Sequence, residues 1–349
     1  MLPTKNTVIL LSLCASAAAF TGAPVRDHTA LPNVTSLDPQ SIRMSTSANV
    51  WTAKPSMLTP RRSAVASGLL KDFIFVVGGR TFPTVSHYPL ATTEVYHPLN
   101  NTWSPRKPLP QGRAQSNGAS LISGKVYVAG GYAQTATTPT VVTSTLYVYD
   151  FLSNTWAKKA NMPYPGAAGA QAVINGALYV YSGTTNVYNH HRFARYDPAS
   201  NTWVSLTAPP SLHEYPAAGM IKGKFYLAGG MMNGSDDANP AVHAYDPLTD
   251  TWETMAPMPA PTGLAASAVV KGKLYVAGGG PDGAGSVAWT TLQVFDPATN
   301  TWSTKAPMPT ARTGAAGVAV SGKLLVIGGE GAGDAPLAVV EAYNPGPIF

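Results

Sequence analysis

Along most of the chain, short runs alternate apolar and polar positions and stop at glycine or proline. Clear cases are Lys125-Val-Tyr-Val-Ala129 and Lys273-Leu-Tyr-Val-Ala277. Period-two runs bounded by turn residues predict strands. The runs recur in phase. Diglycines follow them at Gly78-Gly79, Gly130-Gly131, Gly229-Gly230, Gly278-Gly279 and Gly328-Gly329, with a degenerate copy at Ser182-Gly183. An aromatic strand then ends in Tyr96-His-Pro98, Tyr149-Asp150, Tyr196-Asp-Pro198, Tyr245-Asp-Pro247, Phe295-Asp-Pro297 or Tyr343-Asn-Pro345. A polar turn leads on to Trp103, Trp156, Trp203, Trp252 and Trp302, each preceded by Asn-Thr or Asp-Thr. Each unit of about fifty residues holds four strands and is too small for a core of its own. Six such units bury their faces by stacking around an axis, so the pattern predicts an all-β, six-bladed propeller.

The register also predicts how the ring closes. Trp51 supplies only the last strand of a unit, whereas the C-terminal unit stops at Pro345 after three. Strand 49–54 is therefore expected to complete the blade formed by about 313–345, leaving no free edge. The diglycines fit crowded strand ends near the axis, where a Cβ has no room.

Composition agrees. Of 349 residues, 33 are Gly and 31 are Pro, and only 11% are charged. That turn-rich balance excludes a coiled coil or a helical bundle. The formal net charge is +6. Cys14, the only cysteine, lies in an apolar N-terminal run, Val8 to Leu13 and onward, behind Lys5. Ala17 and Ala19 fit a cleavage pattern with the cut before Phe20, so residues 1–19 read as a signal peptide. The run is too short for a permanent membrane span. Residues 20–48, rich in Ser, Thr and Pro, read as a linker and 49–349 as the propeller. Secretion is the expected route. The alternative is a bipartite leader to a plastid of secondary origin, because Phe20 opens a hydroxyl-rich, acid-poor stretch. A mature chain without cysteine has no disulfide, no Cys-based zinc site and no thiol nucleophile.

Diglycine, Tyr-Asp-Pro and Trp in phase over residues 49 to 345 resemble the kelch-repeat family, part of the galactose-oxidase-like superfamily. That resemblance implies ligand-contacting arginines after the diglycines and ahead of the first strands. Arg80, Arg113 and Arg312 are the residues here that match, and Tyr132, Glu214 and Glu330 occupy the same two kinds of position. Arginines in a concave mouth suit carboxylate or hydroxyl-rich ligands. Arg61, Arg62, His213 and Tyr215 also lie in the lead-in segments, where arginine equally serves packing within the repeat. The longest insertions, 132–141, 231–240 and 280–288, follow diglycines and so share one face, the usual place for binding.

Other features predict little chemistry. Lys125, Lys222, Lys224, Lys271, Lys273 and Lys323 fall at the opposite turns, one or two per blade, and read as a solvated rim without the contiguous basic groove that nucleic acid needs. His190-His191 is an adjacent pair whose rings would point to opposite sides of a strand, and His87, His97, His213 and His243 are scattered among different units, so no metal and no cofactor are expected. Sequons at Asn33, Asn100 and Asn233 fit a secretory route.

The resemblance also frames the question of catalysis. Copper-radical oxidases of the superfamily need a Tyr–Cys cross-link that a mature chain without cysteine cannot form. The Glu/Asp/His motif of plant specifier proteins is missing. Two readings remain. The first is a secreted, monomeric, non-catalytic propeller that binds a glycan, small anionic ligand or protein through its loop-rich face. The alternative is a sugar mutarotase-like isomerase using Glu330 with Arg80 or Arg312.

Overall fold

The computed structural model describes residues 48–68, 73–81, 89–134, 140–185, 191–232, 237–281, 287–331, 333 and 335–347. Residues 1–47, which hold the expected signal peptide, most of the expected linker and Asn33, lie outside the described residues, as do His87, His190 and Asn233. Six four-stranded antiparallel sheets form the blades of a β-propeller. Blade four is typical, with strands Ala217–Ile221, Lys224–Ala228, Val242–Asp246 and Thr251–Thr254 running in order from the axis outward. Blades one, two, three and five begin with Val65–Gly68, Ala119–Ile122, Ala170–Ile174 and Ala266–Val270.

Blade six is built from both ends of the domain. Its strands Ala316–Val320, Lys323–Ile327 and Val340–Asn344 are completed by Val50–Lys54. The last two pair antiparallel from Val50 opposite Asn344 to Lys54 opposite Val340, with Trp51 facing Tyr343. This is the closure that the unpaired repeat fragments at the two ends predict.

Second and third strands are buried on both faces because each blade is sandwiched between two others. Between blades four and five, for example, Ala228, Val242 and Ala244 pack with Leu274, Val276 and Phe295, and Trp302 covers the edge. The tryptophan does more than fill space. Trp103 donates its indole N–H to the carbonyl of Pro55, which has no amide proton to return, and the other five donate to a backbone carbonyl in the preceding blade: Trp156 to Lys107, Trp203 to Ala160, Trp252 to Thr207, Trp302 to Ala256 and Trp51 to Ala306. The amide of each of those same five residues donates to the side-chain oxygen of Asn154, Asn201, Asp250, Asn300 or Asn49, two residues before the Trp. Those Asn and Asp residues have φ between 50° and 60°, which short polar side chains tolerate. The Asn-Thr-Trp motif is thus a two-bond clip between neighbouring blades.

The diglycines sit where blade meets blade. The amides of Gly79, Gly131, Gly230, Gly279 and Gly329 donate to the carbonyls of Arg113, Gly166, Thr262, Arg312 and Arg61 in the next blade. A Cβ on the first glycine of each pair would strike that same carbonyl, at 2.1–2.6 Å. Blade four provides an internal comparison. Gly223→Ala, at φ +82° with open space around it, is expected to cost about 1 kcal/mol from the backbone alone. Gly229→Ala, whose Cβ would lie 2.5 Å from the Thr262 carbonyl oxygen and 2.7 Å from Met258 Sδ, is expected to cost more than about 3 kcal/mol. Denaturant titration of the two variants measures the difference; equal losses would mean that the close approach is not what the diglycine serves.

Candidate functional site

Three consecutive residues lead into each first strand, and their three positions have separate jobs. They are Arg61-Arg62-Ser63, Arg113-Ala114-Gln115, Gly166-Ala167-Ala168, His213-Glu214-Tyr215, Thr262-Gly263-Leu264 and Arg312-Thr313-Gly314.

The third residues form a ring. Each adopts φ of 52–59°. Each amide donates to the carbonyl of its counterpart in the preceding blade: Ser63 to Gly314, Gln115 to Ser63, Ala168 to Gln115, Tyr215 to Ala168, Leu264 to Tyr215 and Gly314 to Leu264, at 2.8–3.2 Å. Below this circle lies the axial channel, a cavity of about 230 Å³ walled largely by Ala, Gly and Ser, with Gln115, Asn117, Gln171 and Tyr215 as its larger polar groups.

The second residues form a crown above the ring. Each makes a backbone bridge to the residue after the diglycine of its own blade: Arg62 with Arg80, Ala114 with Tyr132, Ala167 with Thr184, Glu214 with Met231, Gly263 with Gly280, and Thr313 with Glu330. These rungs point the functional side chains at the channel mouth. Arg62, Arg80, Gln115, Tyr215, Thr313 and Glu330 enclose a pocket of about 90 Å³. A second cavity of about 350 Å³ runs outward past Arg80 and Tyr132 to Thr140.

The first residues are buried spokes, and here the structure corrects two expected ligand contacts. Arg113 and Arg312 are each only 1% exposed. Arg312 forms an ion pair with Glu341 and donates to the carbonyls of Gly328 and Val339. Arg113 lies over the ring of Tyr147 and donates to the Gly112 carbonyl. Arg61 likewise pairs with Glu94, at 3.2 Å. The partner in each case sits at the second position of the blade's third strand. These arginines bind their own blades, and none lines the pockets of the mouth.

Glu330 is fully buried, and its partner is Arg62 rather than Arg80 or Arg312. One oxygen, Oε1, is left without a hydrogen-bond partner. The arrangement gives the isomerase reading no support, since the carboxylate is held in an ion pair. Arg80 is different. It forms no ion pair among the described residues, and its buried Nε has no hydrogen-bond partner. Burial lowers its pKa from the ordinary value, while the neighbouring Tyr215 and Tyr132 act in the opposite direction. Burial pushes the Tyr215 phenol up. Glu214 stands at the blade-four side of the mouth; burial raises its carboxyl and a hydrogen bond from Thr184 opposes this. Sequence reasoning placed Arg62 and Tyr215 in the lead-in segments without assigning them to the site, and did not single out Gln115. The signal was their place immediately after the spoke.

Other expectations find their places. Lys125, Lys224 and Lys273 pair with Asp150, Asp246 and Asp296 on the face opposite the mouth, all partly exposed. Asn100 is exposed in the turn before Trp103. Among the described residues no three metal-ligating side chains converge, and no helix is long and apolar enough to cross a membrane.

Residues 116–329 match the KLHDC2/KLHL20/DRC7 kelch-repeats domain, and 61–110 match the kelch motif. The chain belongs to the kelch-repeat family. Kelch-like protein 35 of Homo sapiens is 27% identical over 47% of this chain and 27% of its own length. Kelch-like protein terF of Aspergillus terreus is 29% identical over 52% of this chain and 41% of its own. The chain therefore spans less than half the length of these kelch relatives. Among solved structures, YjhT matches with a TM-score of 0.68 and 18% identity, covering 81% of this chain and 95% of that one. A fungal alcohol oxidase of the AA5 family, solved with copper, matches at 0.58 and 18%, covering 81% and 62%. At that identity the two structures show the fold alone.

The two mouth arginines of blade one, Arg62 and Arg80, make opposite predictions for stability. Arg62→Met leaves Glu330 buried without its partner and is expected to cost about 3–5 kcal/mol. Arg80→Met removes a half-buried cation that has no counter-charge. It is expected to leave stability within about 0.5 kcal/mol of wild type, or to raise it. Parallel urea titrations check both, and a large loss from Arg80→Met would mean that this guanidinium is structural.

Proposed function

We propose that this kelch propeller is a secreted protein-binding module that takes an acidic side chain or chain end of its partner at the channel mouth. The observation that carries the reading is Arg80, a half-buried guanidinium that pairs with no carboxylate among the described residues and has an unsatisfied Nε. A buried cation without a counter-ion is costly, and an incoming carboxylate offsets that cost with charge-assisted bonds. Glu330 Oε1 supplies the complementary need, an acceptor that lacks a donor. A peptide meets both, because an acidic side chain is never far from a backbone N–H. Tyr132 lines the outward cavity beside Arg80, and Thr140 lies at its far end. Kelch-like proteins among the relatives favour a protein over a glycan or a small free anion as the ligand. On this reading residues 1–19 direct secretion and Asn100 carries a glycan, away from the mouth.

An array of acidic and neutral peptides, probed with the mature domain from Phe20, tests the site. Acidic peptides should bind, with affinity falling as salt rises. Arg80→Met should weaken binding at least about tenfold, the loss of roughly 1.4 kcal/mol, and Tyr132→Ala should weaken it as well. Undiminished binding by Arg80→Met would sink the reading, and preferential retention of glycans or small carboxylates would replace it. Expression in a secreting eukaryotic host should yield an N-terminus at Phe20 and a glycan on Asn100.

A further inference from the structure

The spoke of blade four is a histidine, His213, and the third-strand position opposite it is His243. Blades one and six place Arg–Glu pairs at this location, Arg61 with Glu94 and Arg312 with Glu341. The two imidazoles are buried, at 0% and 4% exposure, and edge-on, with His213 Nε2 2.8 Å from His243 Nδ1. His213 Nδ1 lies 2.6 Å from the carbonyl oxygen of Gly229. A carbonyl only accepts, so Nδ1 carries the proton and donates it. Nε2 of the neutral ring is then the acceptor, and His243 Nδ1–H is its donor. Direct nitrogen-to-nitrogen contact leaves no space for a metal ion between them.

Among the described residues the surroundings supply no counter-charge. Tyr181 of blade three accepts a hydrogen bond from the His213 amide, at 2.9 Å, and presents its ring edge-on. His191, also of blade three, is bonded to the Pro209 carbonyl and acts on His213 as a like charge. Ser211 Oγ is 3.4 Å from Nε2, and Asn239 is bonded to Ser211 and the Leu212 carbonyl. His243 pairs with Leu227 and Thr254 on its flanking strands. The carboxyl next in sequence, that of Glu214, is bonded to Thr184. Neither imidazole forms an ion pair among the described residues.

We propose that the His213–His243 pair is a pH-sensitive latch on the mouth, releasing Glu214 and Tyr215 from their places when mild acid adds a proton to the pair. The latch rests on the reading of the mouth as the binding site and names how that site is regulated. A first added proton leaves a buried imidazolium with no carboxylate, and a second sets two donors against each other. Expulsion of the His213 ring moves the residues attached to it, which are the crown residue Glu214 and the ring residue Tyr215. The amide of Tyr215 holds the Ala168 carbonyl, and its own carbonyl takes the amide of Leu264, so two of the six ring bonds depend on this segment. The spokes of blades one and six hold Arg–Glu ion pairs and no imidazole. Acid therefore loosens one side of the mouth and leaves blades one and six in place.

The sign follows from burial. Desolvation holds His213 down to about 4, against 6.5 for the free side chain, and His243 is lowered by the same cause. The folded form binds fewer protons than the opened form between those values. The contribution of the closed latch is complete above pH 6.5 and is lost as pH falls toward 4.

Hydrogen exchange on the mature domain, without any ligand, tests the latch separately from the ligand reading. Between about pH 7.5 and about pH 5, after correction for the intrinsic rate, exchange in the peptide spanning 211–216 should rise on the order of tenfold. The equivalent peptides at 61–66 and 312–317 should not change. The double substitution His213→Arg with His243→Glu, which copies the pair of blades one and six, should abolish the rise. His243→Gln, which retains a donor toward Nε2, should reduce it. A flat response at 211–216, or a uniform rise around the whole ring, would overturn the proposal. Because no ligand enters the measurement, acidic peptides can fail to bind while the latch stands, and the reverse holds too.

Discussion

Six backbone hydrogen bonds, laid head to tail around the axis, hold the molecule at its narrowest point. Each joins the same position in successive blades, and the last returns to the first, so the circle has no end at which to fray. The bonds require φ near +55° at every member. That region is costly for residues with a side chain, and only one of the six, Gly314, avoids the cost. Ser63, Gln115, Ala168, Tyr215 and Leu264 accept it because six blades fix their neighbours from both sides. Strain of this kind persists only where the surroundings over-determine the backbone. In return, the ring sets the tilt of each lead-in segment, and that tilt decides that the residue before it faces the mouth while the residue before that is buried.

The binding face is therefore a register effect. One residue's difference along the lead-in separates Arg61, locked to Glu94 inside a blade, from Arg62, which reaches the mouth. The crown is uneven as a result of what each repeat places there. Blade five contributes Gly263 and Gly280, with no side chains at all, whereas blades six and one contribute Glu330, Arg62 and Arg80. In the crown, arginine is confined to blade one, while carboxylates stand at blades six and four, and this uneven charge gives an approaching ligand a preferred orientation.

Strands, blade number and closure were legible because they rest on local patterns: alternation, diglycines and a fixed interval between tryptophans. The unfinished repeats at the two ends were enough to place Val50–Lys54 beside Val340–Asn344. The loop-rich face was legible for the same reason, and it put Arg80, Tyr132 and Glu330 at the mouth. Arg113 and Arg312 were not legible. Whether an arginine in the lead-in is buried depends on a partner about thirty residues away on the third strand. Glu341, Glu94 and Tyr147 each interrupt an apolar run, and a charged or bulky polar residue inside a buried strand was the available signal. Reading the third strands against the lead-ins would have sorted the arginines into spokes and contacts. The histidine spoke escaped because His213 and His243, 30 residues apart in sequence, look unrelated until the blade brings them together.

Closure by Val50–Lys54 has a mechanical side. The first residue of that strand lies opposite the last of its partner, Val50 against Asn344, so both ends of the domain leave blade six at one corner. Tension applied between the ends loads the ladder one rung at a time, from Val50 and Asn344 toward Lys54 and Val340, instead of shearing all five together. A tether attached through its two ends would thus peel open at a force far below what its thermal stability suggests. A pull exerted on the mouth, at the opposite face, would spread over six blades and meet the whole ring.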